Sequence, residues 1–160
     1  MEDFRIEFEK MTQEEYPPYR ENSLKGYARD MGIAGVWDED DLKRADAEFS
    51  RLLPDGIRTP GMELNTIKSK ENGEKIGYIW FQIKDDKKKT AYVWDILIFE
   101  NQRVKGYGKE AMLYLEDYCR KRGATQIMLN VFGHNRVAIN LYEGIGFRPV
   151  AIGMKKEIQH

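Results

Sequence analysis

The sequence predicts an α/β fold on a mixed sheet, antiparallel in its first half and parallel in its second, with about four helices. Two observations carry this. Residues 62–99 read as three apolar runs parted by polar turns, and one turn, Glu71-Asn72-Gly73-Glu74, holds the Asn-Gly pair that favours a tight hairpin. Residues 91–132 then read as strand, helix, strand, a crossover long enough to make its two strands parallel and the connection right-handed.

The elements follow in order. Phe4 to Phe8 alternates apolar and charged residues, as a half-buried strand does. Thr12-Gln13-Glu14-Glu15 has capping-box spacing, but Pro17 and Pro18 cannot lie deep in a helix, so a first helix is expected from about Pro17 to Met31. Asp38 is read as the cap of a second helix through Leu53, which Pro54-Asp55-Gly56 ends. Strands follow at 62–69, 75–83 and 91–99, and the polar loop 85–90 is read as a solvated turn. Helix 107–122 places Met112, Leu115 and Cys119 on one side and stops at Gly123. Gln126 to Phe132 is a strand, Asn135 caps a helix to about Glu143 or Gly144, and Phe147 to Ile158 is expected to supply the last strand or strands. No repeat, linker or low-complexity segment breaks the chain, so one domain is expected over residues 1–160.

Composition excludes several classes. At 160 residues and 41% hydrophobic content the chain can bury one real core. A net charge of −1 and a pI of about 6.2 offer no basic field for nucleic acid. The single cysteine, Cys119, rules out an intrachain disulfide framework and sits on an apolar helix face as core filler. No leader-like stretch opens the sequence and no apolar run has membrane-spanning length, so a cytoplasmic protein without a membrane partner is expected.

The chemistry concentrates first in residues 103–109, Arg-Val-Lys-Gly-Tyr-Gly-Lys, between a strand and a helix. Helix-start amides lack intrahelical acceptors, and the macrodipole puts partial positive charge there. Gly106 and Gly108 allow close approach of a phosphate, and Arg103, Lys105 and Lys109 add full charges. A dinucleotide fingerprint fits less well, because Ala111 takes the third glycine's place and no strand–helix array repeats. A Walker loop fails because Glu110 follows Gly108-Lys109. A second constellation runs from Asn135 through Ala138 and Leu141-Tyr142 to Gly146-Phe147, the pattern N-x-x-A-x-x-L-Y-x-x-x-G-F.

Together, Arg103-x-x-Gly106-x-Gly108 and this second pattern resemble the GNAT superfamily of acetyl-CoA-dependent N-acetyltransferases. The resemblance is most specific from Ala91 to Met154; the first 60 residues agree only in element order. It implies a GNAT-like sheet whose parallel strand pair is splayed, acetyl-CoA as co-substrate and no metal. It also implies that the cofactor diphosphate lies on Arg103, Val104, Lys105, Gly106, Tyr107, Gly108 and Lys109. The pantetheine arm would pair with the strand ending at Leu97, Ile98 and Phe99, and Asn135, Ala138 and Tyr142 would complete the contacts. For Asn135 a plain helix cap is the other reading, and both roles can coexist.

Attack of an amine on a thioester develops an oxyanion, for which a backbone N–H near Leu97 or Ile98 is the expected donor. The departing thiolate, of pKa about 8.5, is helped by a proton from a phenol of pKa near 10, and Tyr142 matches the family's tyrosine in that role. Its other reading is an aromatic packed beside Leu141. The amine, of pKa around 10, must lose a proton. Asp95, a carboxylate between Trp94 and Ile96, is a candidate base or an anchor for a loop or an arginine; Glu100, His134 and water are further candidates. Three readings of function compete: a small-molecule N-acetyltransferase, which is favoured, an enzyme acting on a protein N-terminus or lysine, and a silent coenzyme-A-binding module. Trp37, Trp80 and Trp94 are candidates for an apolar acceptor pocket or for core, and a monomer or a homodimer is expected.

Overall fold

The structure, a computed structural model, describes residues 3–38 and 41–160. Its elements are β1 (Ile6–Lys10), α1 (Tyr16–Ile33), α2 (Leu42–Leu52), β2 (Met62–Ser69), β3 (Lys75–Ile83), β4 (Thr90–Ile98), α3 (Tyr107–Arg120), β5 (Gln126–Leu129) and α4 (Arg136–Gly144). Among the described residues, five strands form one sheet in the order β1-β2-β3-β4-β5, antiparallel up to β4 and parallel between β4 and β5. The mixed sheet and four helices are those the sequence predicts.

Strand alternation divides the core between the two faces of the sheet. Ile67, Ile79, Phe81 and Val93 pack on Met112, Leu115 and Cys119 of α3. Leu64 and Trp80 pack on Tyr19, Leu24 and Ala28 of α1 and on Ala45 and Phe49 of α2. Cys119 is enclosed, and burial pushes its thiol up to about 11, so it fills space and stays inert.

The entry to α1 is tied down by the capping box. Thr12 N–H donates to Glu15 Oε1 (3.0 Å) and Glu15 N–H donates to Thr12 Oγ1 (3.2 Å). Pro17 and Pro18 fall in the first turn, where their missing N–H groups would have no partner anyway. Glu15 also accepts from the Thr66 hydroxyl (2.8 Å) and faces Lys75 Nζ (3.0 Å), which joins α1 to β2 and β3.

Four boundaries depart from the sequence expectation. The first strand is Ile6–Lys10 rather than 4–8, set by its register from Ile6↔Ser69 to Lys10↔Asn65 on β2. Asp38 does not cap α2: Asp41 does, accepting the Arg44 N–H at 3.0 Å, because the stripe that packs inward begins only with Ala45 and Phe49. Residues 39 and 40 lie outside the described residues. β5 ends at Leu129, short of Phe132, because it parts from β4 there. The strand expected from Phe147 to Ile158 does not form. Phe147 N–H closes on the Tyr142 carbonyl (3.0 Å), and among the described residues nothing from Arg148 onward takes a backbone bond to another element. Its alternation of apolar residues is real, but a strand also needs an edge to pair with.

Candidate functional site

The site begins where the two parallel strands part. Pairing runs from Thr90↔Gln126 to Val93↔Leu129 and stops, while β4 continues from Trp94 to Ile98 without a neighbouring strand on that side among the described residues. Phe99 N–H bonds the Ile76 carbonyl (2.9 Å). Antiparallel alternation therefore turns Leu97 toward β3 and turns the N–H and C=O of Ile98 into the opening. The Ile98 carbonyl accepts Arg103 Nε there (3.1 Å).

A bulge shapes this stretch. The register passes from Phe81↔Val93 to Trp80↔Asp95, leaving Trp94 as the extra residue. Strict alternation from Ala91 and Val93 would turn Asp95 into the α3-side core. The bulge turns it to the α1 side, where its Oδ2 accepts from the Tyr19 hydroxyl (2.9 Å) and Ser23 Oγ (2.8 Å). Asp95 thus anchors α1 to β4; the arginine partner considered from sequence is not what it meets. Burial pushes its carboxyl above the usual range, against the bonds from Ser23, Tyr19 and the Ile96 amide that favour the charged form. Burial first, then the Asp95 charge, push the Tyr142 phenol above its ordinary value.

The loop after β4 is strained and turns through two left-handed residues. Val104 has φ +62° and is fully exposed, a conformation costly for a β-branched residue, and Gly106 has φ +82°. Gly106 caps α3 without any side-chain bond, and the first intrahelical bond runs from Glu110 N–H to the Gly106 carbonyl (3.1 Å). The amides of Gly106, Tyr107, Gly108 and Lys109 thus have no helical acceptor. At Gly108 an added Cβ would sit 3.2 Å from Leu141 Cδ1, so this glycine lets α4 press on α3. Lys105 Nζ donates to the buried Gln102 (3.3 Å), which in turn bonds Glu74.

Two participants escape sequence reasoning. Arg5 straps the loop from β1's side: it donates to the Lys105 carbonyl (3.1 Å), stacks over Tyr107 at 4.5 Å and pairs with Glu110 at 2.6 Å. It thereby neutralises a carboxylate that would otherwise repel an anion at the helix start. Nothing in the sequence links residues 5 and 110. Gly77 pairs with Ile98, and a Cβ there would lie 2.0 Å from the Leu97 carbonyl oxygen, so only glycine lets β3 approach β4 at the site. An isolated glycine inside a strand pattern was the available signal.

Asn135 caps α4, its Oδ1 accepting the Ala138 N–H (3.2 Å), which leaves its amide N–H groups outside the cap. Leu141 and Tyr142, one turn on, pack against the α3-side core. His134 Nε2 lies 3.0 Å from Asp30 Oδ1 and its ring stacks on Phe132, tying the end of α1 to the loop after β5. Glu100 is exposed in the turn after β4. Trp37 and Trp80 are core; Trp94 remains half-buried, its Nε1 donating to Gln82 (2.8 Å). No helix among the described residues is long and apolar enough to cross a membrane.

Residues 7–147 match the family model described as Acetyltransferase (GNAT) family. Over 150 residues the chain is 32% identical to the uncharacterized N-acetyltransferase YycN of Bacillus subtilis (strain 168), covering 92% of this chain and 96% of that one. It is 27% identical over 152 residues to the uncharacterized N-acetyltransferase YdgE of the same strain, covering 94% and 96%. A crystal structure of YycN superposes with a TM-score of 0.92 at 31% identity, over 97% of this chain and 99% of that one. AAC(6')-Iy, in complex with the bisubstrate analog CoA-S-monomethyl-acetylneamine, shares the fold alone, with a TM-score of 0.56 at 12% identity over 97% and 99% of the two chains.

Proposed function

This chain belongs to the GNAT acetyltransferase family, and we propose that it moves an acetyl group from acetyl-CoA to a primary amine by direct attack in a ternary complex. One observation carries the reading: β4 runs past its last pair with β5, which leaves the Ile98 main chain open just before the left-handed turns at Val104 and Gly106.

The residues present fit such a co-substrate. The amides of residues 106–109, with Arg103, Lys105 and Lys109, would hold a diphosphate, and the left-handed turns at Val104 and Gly106 supply the concave backbone it needs. Acetyl-CoA brings the activated thioester. The Ile98 N–H, already turned into the opening, is the oxyanion donor, and Leu97, the other sequence candidate, faces β3. Tyr142 supplies the proton to the departing thiolate. Its raised pKa keeps it protonated throughout the neutral range, which a general acid requires. Asp95 is a positioning residue in this reading, holding α1 on β4 and keeping Tyr142 protonated, while the amine's proton leaves through water. The acceptor is a small amine. Tyr27, Trp94 and Phe132 offer partly open aromatic faces near this end of the sheet, with Asp30 beside them as a carboxylate for an ammonium.

The test is release of coenzyme A thiol against a panel of amines, polyamines, amino acids and peptides, joined to calorimetry of acetyl-CoA on Gly106→Asp and Gly108→Asp. Turnover with a small amine and loss of cofactor binding in both folded variants is expected. Unchanged affinity in both variants would overturn the diphosphate assignment, and turnover with peptides alone would overturn the small acceptor.

A further inference from the structure

The start of α3 holds two opposed features. The amides of Gly106, Tyr107, Gly108 and Lys109 lack helical acceptors and carry the partial positive charge of the helix end. The next residue is Glu110, a carboxylate in the first turn, where it competes with any bound anion for that same charge. A diphosphate gains nothing from such a neighbour unless a cation meets its charge.

Arg5 meets it from the far end of the sequence. Its Nε donates to Glu110 Oε1 (2.7 Å), its Nη2 lies 2.6 Å from the same oxygen, and its backbone N–H donates to Oε2 (2.5 Å). Among the described residues Arg5 is the cation that pairs with Glu110. The Glu110 side chain is only 15% exposed, so these charge-assisted bonds fix where its charge lies. Arg5 is itself held in place. Phe4 before it and Ile6 after it are buried, and its carbonyl accepts the Lys70 N–H (2.8 Å). Its guanidinium is therefore set against α3 before any ligand arrives. The loop has a second anchor, because Lys105 gives its carbonyl to Arg5 (3.1 Å) and its Nζ to the buried Gln102 (3.3 Å). Loss of Arg5 thus leaves the loop one tether and leaves Glu110 without a cation. A carboxylate in a first turn reaches back to the amides that open its helix, and here those amides are unpaired.

We infer, on the acetyl-transfer reading above, that Arg5 is a positioning residue for the co-substrate. It holds the Glu110 carboxylate off the start of α3 and so keeps those amides open to the diphosphate.

Calorimetry of acetyl-CoA and steady-state kinetics test it on Arg5→Ala, Glu110→Gln and the double variant, each checked for an unchanged far-UV spectrum. Arg5→Ala should raise the acetyl-CoA Kd and KM about tenfold or more, the fold-change of one hydrogen bond to a charged group, with kcat at saturation unchanged. Glu110→Gln alone should bind acetyl-CoA at least as tightly as wild type. The double variant should recover most of the affinity lost in Arg5→Ala, although it lacks the tie between β1 and α3. That recovery separates the role from a structural one, since removing both partners cannot rebuild a tie. An Arg5→Ala protein of wild-type affinity would overturn the inference, and so would a double variant as weak as Arg5→Ala. A wild type that binds no acetyl-CoA would overturn the acetyl-transfer reading as well, which tells the two failures apart. Should Arg5→Ala not fold, Arg5→Met keeps an apolar stem over Tyr107 and loses the charge, and the same outcomes decide.

Discussion

Replacing Asp95 by Asn separates the charge of this carboxylate from its role as an acceptor of hydroxyls. Asn keeps the shape and one accepting oxygen, so the bonds from Tyr19 (2.9 Å) and Ser23 (2.8 Å) have an acceptor still. Making that acceptor neutral costs about 0.5–1.5 kcal/mol per bond. Desolvation of the charge works the other way, and because the carboxyl's pKa is raised, desolvation wins. The sign is then determined. A carboxyl with a folded pKa above its unfolded value near 3.8 stabilises fully below that value, and the contribution is lost as pH rises through the folded one. Above it, each unit of elevation has cost the wild type about 1.4 kcal/mol. Asp95→Asn should therefore melt at or above the wild-type temperature at pH 7, by roughly 2–4 °C per kcal/mol regained, with the difference closing toward pH 4. Kinetics give the second readout. Without the Asp95 charge the Tyr142 phenol should ionise earlier, so the alkaline limb of kcat should move to lower pH. The acid limb of kcat/KM, taken with two amines of different pKa, should follow the amine and survive the mutation. The reasoning fails if the variant is less stable at pH 7 by more than about 1 kcal/mol and the gap persists at pH 4. An acid limb that disappears in Asp95→Asn and ignores the amine would make Asp95 the base.

Tyr142→Phe removes only a hydroxyl, so acetyl-CoA affinity should change little while kcat falls roughly 10²–10⁴-fold; unchanged turnover would leave the residue a packing role. Glu15→Gln should destabilise the fold by about 1–3 kcal/mol at pH 7, read by urea titration. Burial pushes the Glu15 carboxyl up, but the Thr12 amide, the Thr66 hydroxyl and Lys75 together bring it down to about 2, so its contribution is present above about 4.5 and lost as pH falls toward 2. Gly77→Ala should cost about 2–3 kcal/mol or more and depress turnover beyond what the lost stability explains, because its Cβ meets the Leu97 carbonyl at 2.0 Å and must push β3 off the strand that carries the site; a wild-type melt would refute that contact.

Most of the element order was legible because it rests on local physics. Alternation wrote β2, β3 and β4, Asn72-Gly73 wrote their first turn, and the spacing of Met112, Leu115 and Cys119 wrote α3. The free amides at the start of α3 were legible for the same reason, since two glycines before a helix declare unpaired amides whatever surrounds them. The Asn135 cap also held, its Oδ1 accepting the Ala138 N–H.

What the sequence could not decide were the matters settled by pairing between distant residues. The face that Asp95 takes depends on a one-residue bulge at Trp94, and a slip of one residue reverses every side chain beyond it. Arg5 reaches the Lys105 carbonyl only because β1 lies beside α3's start. Residues 147–158 carry a strand's alternation, yet whether they form one depends on an edge to receive them, and among the described residues they pair with none. Periodicity states what a segment can bury; only the folded sheet supplies the partner.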